Sequence, residues 1–339
     1  MRAMVIHDIT AFDENPQPLE LMELERPEPG RGEILIGVTV CGVCHTEIDE
    51  IEGRTPPLRL PMIPGHEIVG RVASLGDGCS RFELGERVGV GWIHSSSGGE
   101  DENLAEVFTA TGRDTHGGYA EYIVVPENYA YAIPAVFSDE EAAPLLCAGA
   151  VGFRSLRLAN IRDGDVLGLT GFGGSGHLVL QMAKYLYPDS KVFVFARSES
   201  ERAFAIELGA DWSGDTGEEP PERPHAIIDT TPAWAPILAA LKCLRPGGRL
   251  VINAIRKEAV DRDCMANISY EDHLWMEKEL KSVANVTRSD IDEFLPIAAA
   301  IPLRVATQAY PLEKANEALT ELRAGHLRGA KVLIISGTQ

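Results

Sequence analysis

The sequence predicts an α/β protein, with a β-rich first part followed by alternating strands and helices on a parallel sheet. Three observations carry this. The chain has 339 residues, and at roughly 150 residues per domain that suggests about two domains. Up to about residue 145, short β-branched and apolar runs alternate with Gly, Pro and Asp. From about Asp165 the rhythm changes to short apolar strands separated by helix-length segments, the pattern of βαβ units.

The elements follow in order. Glu33–Val40, Ile68–Leu75 and Tyr122–Val125 read as strands, set off by turns such as Pro27-Glu28-Pro29-Gly30 and Leu75-Gly76-Asp77-Gly78. Val166–Thr170 is an apolar strand followed at once by a glycine cluster. A helix is expected from Ser175 to Tyr187, where Leu178, Leu180, Met182, Ala183 and Leu186 are apolar. Lys191–Phe195 is the next strand. Ser198 and Glu201 have the spacing of a capping box opening a helix to about Leu208. Ala226–Asp229 and Arg249–Asn253 are further strands, the latter after the turn Pro246-Gly247-Gly248. The polar, Gly/Pro-rich segment Trp212–Pro224 reads as an exposed loop. Lys331–Ile335 is a last strand, expected to return to the first domain.

Composition narrows the function. Lys and Arg number 31 against 51 Asp and Glu, a formal net charge of −20. Nucleic acid and anionic membrane both demand basic surfaces, so neither is expected as the main partner. No run of about 18 apolar residues is present, so no membrane-spanning helix is expected. The opening Met1–His7 lacks a long apolar stretch, so no secretory signal is expected. Six cysteines are too sparse for a disulfide framework and suit metal binding or burial in a reducing compartment, hence a cytoplasmic location.

Gly171-Phe172-Gly173-Gly174-Ser175-Gly176 fits G-x-G-x-x-G, with a strand before it and a helix after it. Such glycines allow a tight turn and close approach to a pyrophosphate, and the helix N-terminus supplies N–H groups. A purely structural strand–helix turn would carry the same residues; the context favours dinucleotide binding. An NAD site usually places Asp or Glu about 20 residues after the glycines, on the ribose 2′-hydroxyl. Here that region is Ala196-Arg197-Ser198. No carboxylate stands there to repel a 2′-phosphate, and an Arg and a hydroxyl could bind one, which favours NADP(H) over NAD(H). Arg197 could instead be solvated, or stack on adenine with either cofactor.

Soft metal donors occur at three places: Cys41-Gly42-Val43-Cys44-His45-Thr46-Glu47, Pro64-Gly65-His66-Glu67 and Leu146-Cys147-Ala148-Gly149. Singly, each has a plainer explanation. A C-x-x-C pair is half a zinc site or a redox pair, and a lone His or Cys is commonly a core residue.

Taken together, Cys44-His45-Thr46-Glu47, Gly65-His66-Glu67, Gly117-Gly118-Tyr119-Ala120-Glu121-Tyr122, Cys147-Ala148-Gly149 and Gly171–Gly176 resemble, in order and separation, the zinc-dependent medium-chain alcohol dehydrogenases. The resemblance covers nearly the whole chain. It implies a GroES-like catalytic domain from residues 1–148 and 285–339 and a Rossmann domain from residues 149–284. Cys44, His66 and Cys147 would be the catalytic zinc ligands, the Cys₂His set of alcohol dehydrogenase. Glu67 would lie beside the metal. Glu47 stands where the family usually has Asp, as acceptor for the ligand His. Cys41 is not a ligand position, and Cys79, Cys243 and Cys264 read as structural. Thr46 would begin the proton relay. Where many relatives end that relay with His, this chain has Asp49, so Asp49, His45 or solvent would take over. His45 would contact the cofactor pyrophosphate, and Val151 the nicotinamide face. Gly171, Gly173, Gly174, Ser175, Gly176, Ala196, Arg197, Ser198, Thr230, Ala254 and Ile255 make up the implied cofactor set.

The implied reaction interconverts an alcohol and its aldehyde or ketone by hydride transfer to or from a nicotinamide. Zinc serves in it as a Lewis acid. Trp92 aligns with an aromatic that narrows the alcohol pocket, although a core role would also suit it. Thr55 falls where some relatives are bulkier, implying a wider mouth and small to medium primary alcohols. Relatives are homodimers or homotetramers. The structural-zinc lobe of many relatives is replaced by Ser95–Ala105, without cysteine, so one zinc per subunit and a short, acidic, mobile loop are expected. His94, His116, Glu100 and Asp101 are expected to be solvated surface residues in preference to a substitute site. Two other readings stay open: a zinc-free quinone or enoyl reductase of the same superfamily, and a dinucleotide-binding scaffold without turnover.

Overall fold

The computed structural model describes residues 1–301, 303–325 and 329–335. Residues 302, 326–328 and 336–339, part of the C-terminal segment expected in the first domain, lie outside the described residues. The chain divides into two compact units. One comprises Met1–Cys147, Val286–Ala299 and the described residues from Val305 onward; the other comprises Ala148–Asn285 and the described residues of 300–304.

The first unit is built on the strand Glu33–Val43, eleven residues of which nine are fully buried. Its near-continuous apolar run fits a strand covered on both faces. It pairs antiparallel with Ile68–Leu75, Tyr122–Pro126 and Ala330–Ile334. The expected C-terminal strand therefore returns to this sheet. Register shifts between Leu35 and Ile36 and between Val38 and Val40 mark bulges, which bend the strand toward its C-terminal end. Ile34, Ile36, Val38, Ile68, Val72, Val88 and Val90 form the centre of the core. Gly70 allows close approach: a Cβ there would lie 2.3 Å from the Gly37 carbonyl oxygen. Lys331 is fully buried, its Nζ donating to Gln308, Tyr310 and Glu321 at 3.1, 2.6 and 2.6 Å, so its charge is paired as burial requires.

The loop expected to be acidic and mobile is acidic but anchored. Glu102 is buried, and its carboxylate accepts from Tyr129 Oη (2.8 Å), the Gly98 N–H (3.2 Å) and the Arg288 N–H (2.6 Å).

The second unit holds a six-stranded sheet, parallel throughout, in the order Trp212–Gly214, Lys191–Phe195, Val166–Thr170, Ala226–Asp229, Arg249–Ile252, Glu279–Ser282. In sequence order this is 3-2-1-4-5-6, the doubly wound arrangement whose switch point lies beside its first strand. Leu167, Leu169, Val192, Val194, Ile227 and Ile228 are fully buried. The sequence assigned Trp212 to a loop. Trp212–Gly214 is instead an edge strand, with the indole against Phe193 and Phe195 at centroid distances of 5.9 and 5.2 Å. A three-residue strand shows no periodicity, and its stabilising partners lie about 20 residues earlier. Among the described residues no helix is long and apolar enough to cross a membrane.

Candidate metal centre and dinucleotide cradle

In the first unit the central strand ends at Val43, and Cys44 caps the helix His45–Ile51 from an extended conformation. Glu47, on the first turn, turns back so that Oε2 accepts from the Cys44 N–H at 2.7 Å. Its other oxygen, Oε1, lies 2.6 Å from His66 Nδ1, and both side chains are essentially inaccessible. One carboxylate thus fixes the Cys44 backbone and the His66 ring together. His66 follows Gly65, whose φ is +99°. A Cβ there would strike the Tyr119 ring at 2.4 Å, so the turn requires glycine. Gly42 makes room in the same way, since a Cβ would lie 1.8 Å from Glu67 Oε2. Cys147 follows the 3₁₀ turn Ala143–Leu146, whose residues are all buried.

These elements bring Cys44, His66, Glu67 and Cys147 together, with one donor atom of each within 4.8 Å of all the others. Among the described residues this is the one group of three or more His, Cys, Asp and Glu donors close enough to share an ion. His66 Nδ1 lies against Glu47 Oε1 as an ion-pair contact, and Nε2 is buried without a hydrogen-bond partner. A buried polar nitrogen without a partner is costly. Two sulfurs and this nitrogen are the donor types of a catalytic zinc site with an open fourth position, so the residues fit the metal.

The electrostatics are tightly coupled. The Cys147 thiol donates to Cys44, which holds Cys44 well below the usual thiol range and Cys147 well above it. Burial alone would depress the His66 imidazole; Glu47 and Cys44 outweigh it and hold the ring well above its usual range. Burial pushes Glu67 well above the carboxylate range, and the Cys44 charge adds to this. Glu50, which sequence reasoning passed over, is also fully buried, with neither oxygen partnered. Burial and the neighbouring Glu47 raise it strongly.

The other expected residues fall as follows. Thr46 is buried, its hydroxyl 3.6 Å from Cys44 Sγ. Asp49 is buried and paired with Arg54 at 2.6 Å, so the carboxylate in the relay position is already engaged. His45 is exposed. Trp92 is buried, edge-on to His66 at 5.2 Å and 83°, and also packs with Ile93, Ala110 and Tyr129. Thr55 is half-buried, with its hydroxyl unpartnered. His116 is exposed, as expected, and its Nδ1 accepts from the Ile63 N–H at 3.2 Å. His94 is half-buried, while Glu100 and Asp101 are exposed. These four do not gather into a donor group among the described residues.

In the second unit the glycine loop leaves the carboxyl end of Val166–Thr170 and enters the helix Gly176–Leu186. Gly171 has φ +80°, and a Cβ there would meet Thr230 Oγ1 at 2.9 Å; one at Gly176 would lie 2.8 Å from the Gly171 carbonyl oxygen. Gly173 differs: a Cβ would meet nothing within 4 Å. Protein packing explains the first and last glycines, whereas the middle one faces space a ligand could fill, as a pyrophosphate cradle requires. Ser175 stands at the helix start with no capping bond from its side chain.

His177 was not anticipated. It is buried, and Nδ1 donates to the Gly173 carbonyl at 2.9 Å, fixing the loop from beneath. At the neighbouring strand ends, Thr230 Oγ1 donates to the Thr170 carbonyl at 3.0 Å. Ala254 is half-buried and Ile255 is 53% exposed. Lys257 Nζ pairs with buried Asp229 and donates to the Thr231 carbonyl at 2.6 Å. This ties the segment carrying Ala254 and Ile255 to the end of Ala226–Asp229.

At the second strand end, Ala196 is buried and Arg197 exposed, while Ser198 Oγ accepts from the Glu201 N–H at 3.4 Å, capping the next helix. Arg202, also unanticipated, donates from Nη1 to the Ala196 and Arg197 carbonyls at 2.7 and 2.9 Å. A second guanidinium therefore stands at this strand end.

Comparison with known proteins identifies the family. The family model of the alcohol dehydrogenase GroES-like domain matches residues 30–135, and that of zinc-binding dehydrogenase matches residues 174–300. The chain is 38% identical over 329 residues to a probable alcohol dehydrogenase, AdhA, of Mycobacterium tuberculosis, spanning 94% of this chain and 93% of that one. An alcohol dehydrogenase of Geobacillus stearothermophilus is 31% identical over 332 residues, spanning 94% and 96%. Among solved structures, a thermostable alcohol dehydrogenase from Pyrobaculum aerophilum superposes with a TM-score of 0.87 at 26% identity, over 99% of each chain. CAD from Helicobacter pylori, complexed with NADP(H), gives 0.86 at 25% identity, over 98% and 97%. The chain belongs to the medium-chain dehydrogenase/reductase superfamily, among its alcohol dehydrogenases.

Proposed function

We propose that this chain is a zinc-dependent oxidoreductase that interconverts small to medium primary alcohols and their aldehydes, with NADP(H) favoured over NAD(H) and one zinc per chain. The observation that carries it is the convergence of Cys44, His66 and Cys147, with His66 Nε2 buried and unpartnered. Zinc bound there supplies Lewis acidity toward a substrate oxygen. A nicotinamide dinucleotide supplies or accepts the hydride.

The protein's share is positioning. Glu47 holds the His66 tautomer and the Cys44 backbone at once, as partners of metal-ligating histidines do. Trp92 walls the ring from its edge and keeps water from that side. The Thr46 hydroxyl both donates and accepts, so it can take the substrate proton and pass it on. Because Asp49 is held by Arg54, exposed His45 and solvent are the favoured exits for that proton. In the other unit, the Gly171–Gly176 loop cradles the pyrophosphate, with His177 holding the Gly173 carbonyl. Arg197 and Arg202 provide positive charge where a 2′-phosphate would sit, and Ala196 provides no repulsion.

Steady-state kinetics on zinc-replete protein, with a panel of primary alcohols and aldehydes against both cofactors, tests this reading. Saturable turnover with a higher kcat/KM for NADP(H) is expected. Ala196→Asp should shift that ratio toward NADH by about tenfold or more, since a carboxylate facing a phosphate costs several kcal/mol. An unchanged ratio would mean that the ribose site lies elsewhere. Enone reduction by zinc-free protein, or no turnover of any alcohol despite zinc and dinucleotide binding, would overturn the assignment.

A further inference from the structure

The second unit has a cavity of about 390 Å³ at the amino ends of Val166–Thr170, Ala226–Asp229 and Arg249–Ile252. The glycine loop leaves the carboxyl end of Val166–Thr170, so this cavity is a separate place in the same unit. Its lining is basic in a chain whose net charge is −20: Arg162, Arg245 and Arg249, with His225 beside them.

The two acids in the lining are already committed. Asp165 accepts from the Arg162 N–H at 2.8 Å and from His225 Nε2 at 3.1 Å. Glu279 pairs with Arg249 at 2.7 Å, and Arg249 also donates to the Leu158 carbonyl at 2.9 Å. His225 is fixed in its neutral form, because Nδ1 accepts from the Val166 N–H at 2.9 Å while Nε2 donates to Asp165. Burial, with the Arg245 charge, keeps the ring below its usual range. The guanidinium groups of Arg162 and Arg245 are left at the rim without an acidic partner among the described residues.

We propose that this cavity binds a small oxyanion, a molecule carrying a phosphate or carboxylate group, held by Arg162 and Arg245 with Arg249 behind them. The volume lies at the lower end of the range for small-molecule sites. Guanidinium forks match carboxylate and phosphate oxygens in pairs. Committed acids cannot compete for those forks, and a cleft lined by unpaired guanidinium groups attracts anions locally.

The test is calorimetric titration of the full chain with inorganic phosphate and, separately, with succinate. The glycine-loop cradle is first saturated with NADP⁺ or NAD⁺, whichever binds. One saturable site per chain is expected for at least one of the two probes, and the responding probe assigns phosphate or carboxylate. The double variant Arg162→Ala/Arg245→Ala should weaken that binding by about tenfold or more, with dinucleotide affinity unchanged. Both residues are exposed, so the variant should fold. Absence of saturable binding for both probes would overturn the proposal, as would equal affinity in the double variant, which would indicate an adventitious ion only.

Discussion

Cys147→Ser should strip the zinc and lower kcat by about 100-fold or more while leaving dinucleotide affinity unchanged. The substitution is nearly isosteric, and Cys147 follows a turn whose own residues, Ala143 to Leu146, are buried. The backbone is therefore held independently of the sulfur. What changes is the donor: a serine hydroxyl does not ionise near neutral pH, and it is a harder ligand than the thiolate zinc prefers. The Gly171–Gly176 loop belongs to the other compact unit, so the effect should stop at the metal. Zinc content by elemental analysis, kcat, and dinucleotide affinity by fluorescence titration read the three consequences separately. Equal loss of zinc and dinucleotide binding would show that the two sites are not independent.

Glu47→Ala should lower stability by roughly 3 kcal/mol, the cost of breaking a buried charge pair by removing one member. Zinc affinity should fall by about 10- to 100-fold, as for loss of a ligand histidine's partner. Both effects follow from the carboxylate's double duty, since its removal leaves the Cys44 N–H and His66 Nδ1 without acceptors. Urea unfolding and competitive zinc titration separate the two. Glu47→Asp keeps a carboxylate on a shorter side chain and should recover zinc affinity more fully than stability. Destabilisation with zinc affinity unchanged would mean that the carboxylate supports the fold but does not orient the ring.

Much of this was legible in the chain itself, for identifiable reasons. The glycine loop announced itself because packing leaves no room for a side chain at Gly171 and Gly176, and the strand before it and helix after it are local features. The donors Cys44, His66 and Cys147 are far apart in sequence. Only the order and spacing of several motifs together suggested that they meet, and the long strand Glu33–Val43 and the turn through Gly65 are what bring two of them together. Contacts that depend on the fold alone were hidden. Trp212 gains its strand from two phenylalanines on a neighbouring strand. Glu102 turns inward because Tyr129 and the Arg288 backbone wait there. His177 and Arg202 act through backbone carbonyls, which leave no mark on side-chain patterns. Asp49 sat at the relay position, but its pairing with Arg54 could not be read from spacing.

Zinc K-edge X-ray absorption on protein purified without chelator tests the central claim most directly, because it counts the atoms gripping the metal. The expected result is one zinc per chain with two sulfur neighbours near 2.3 Å and one imidazole nitrogen near 2.0 Å, values typical of such sites. A shell of oxygens only, or full alcohol turnover in metal-free protein, would contradict it.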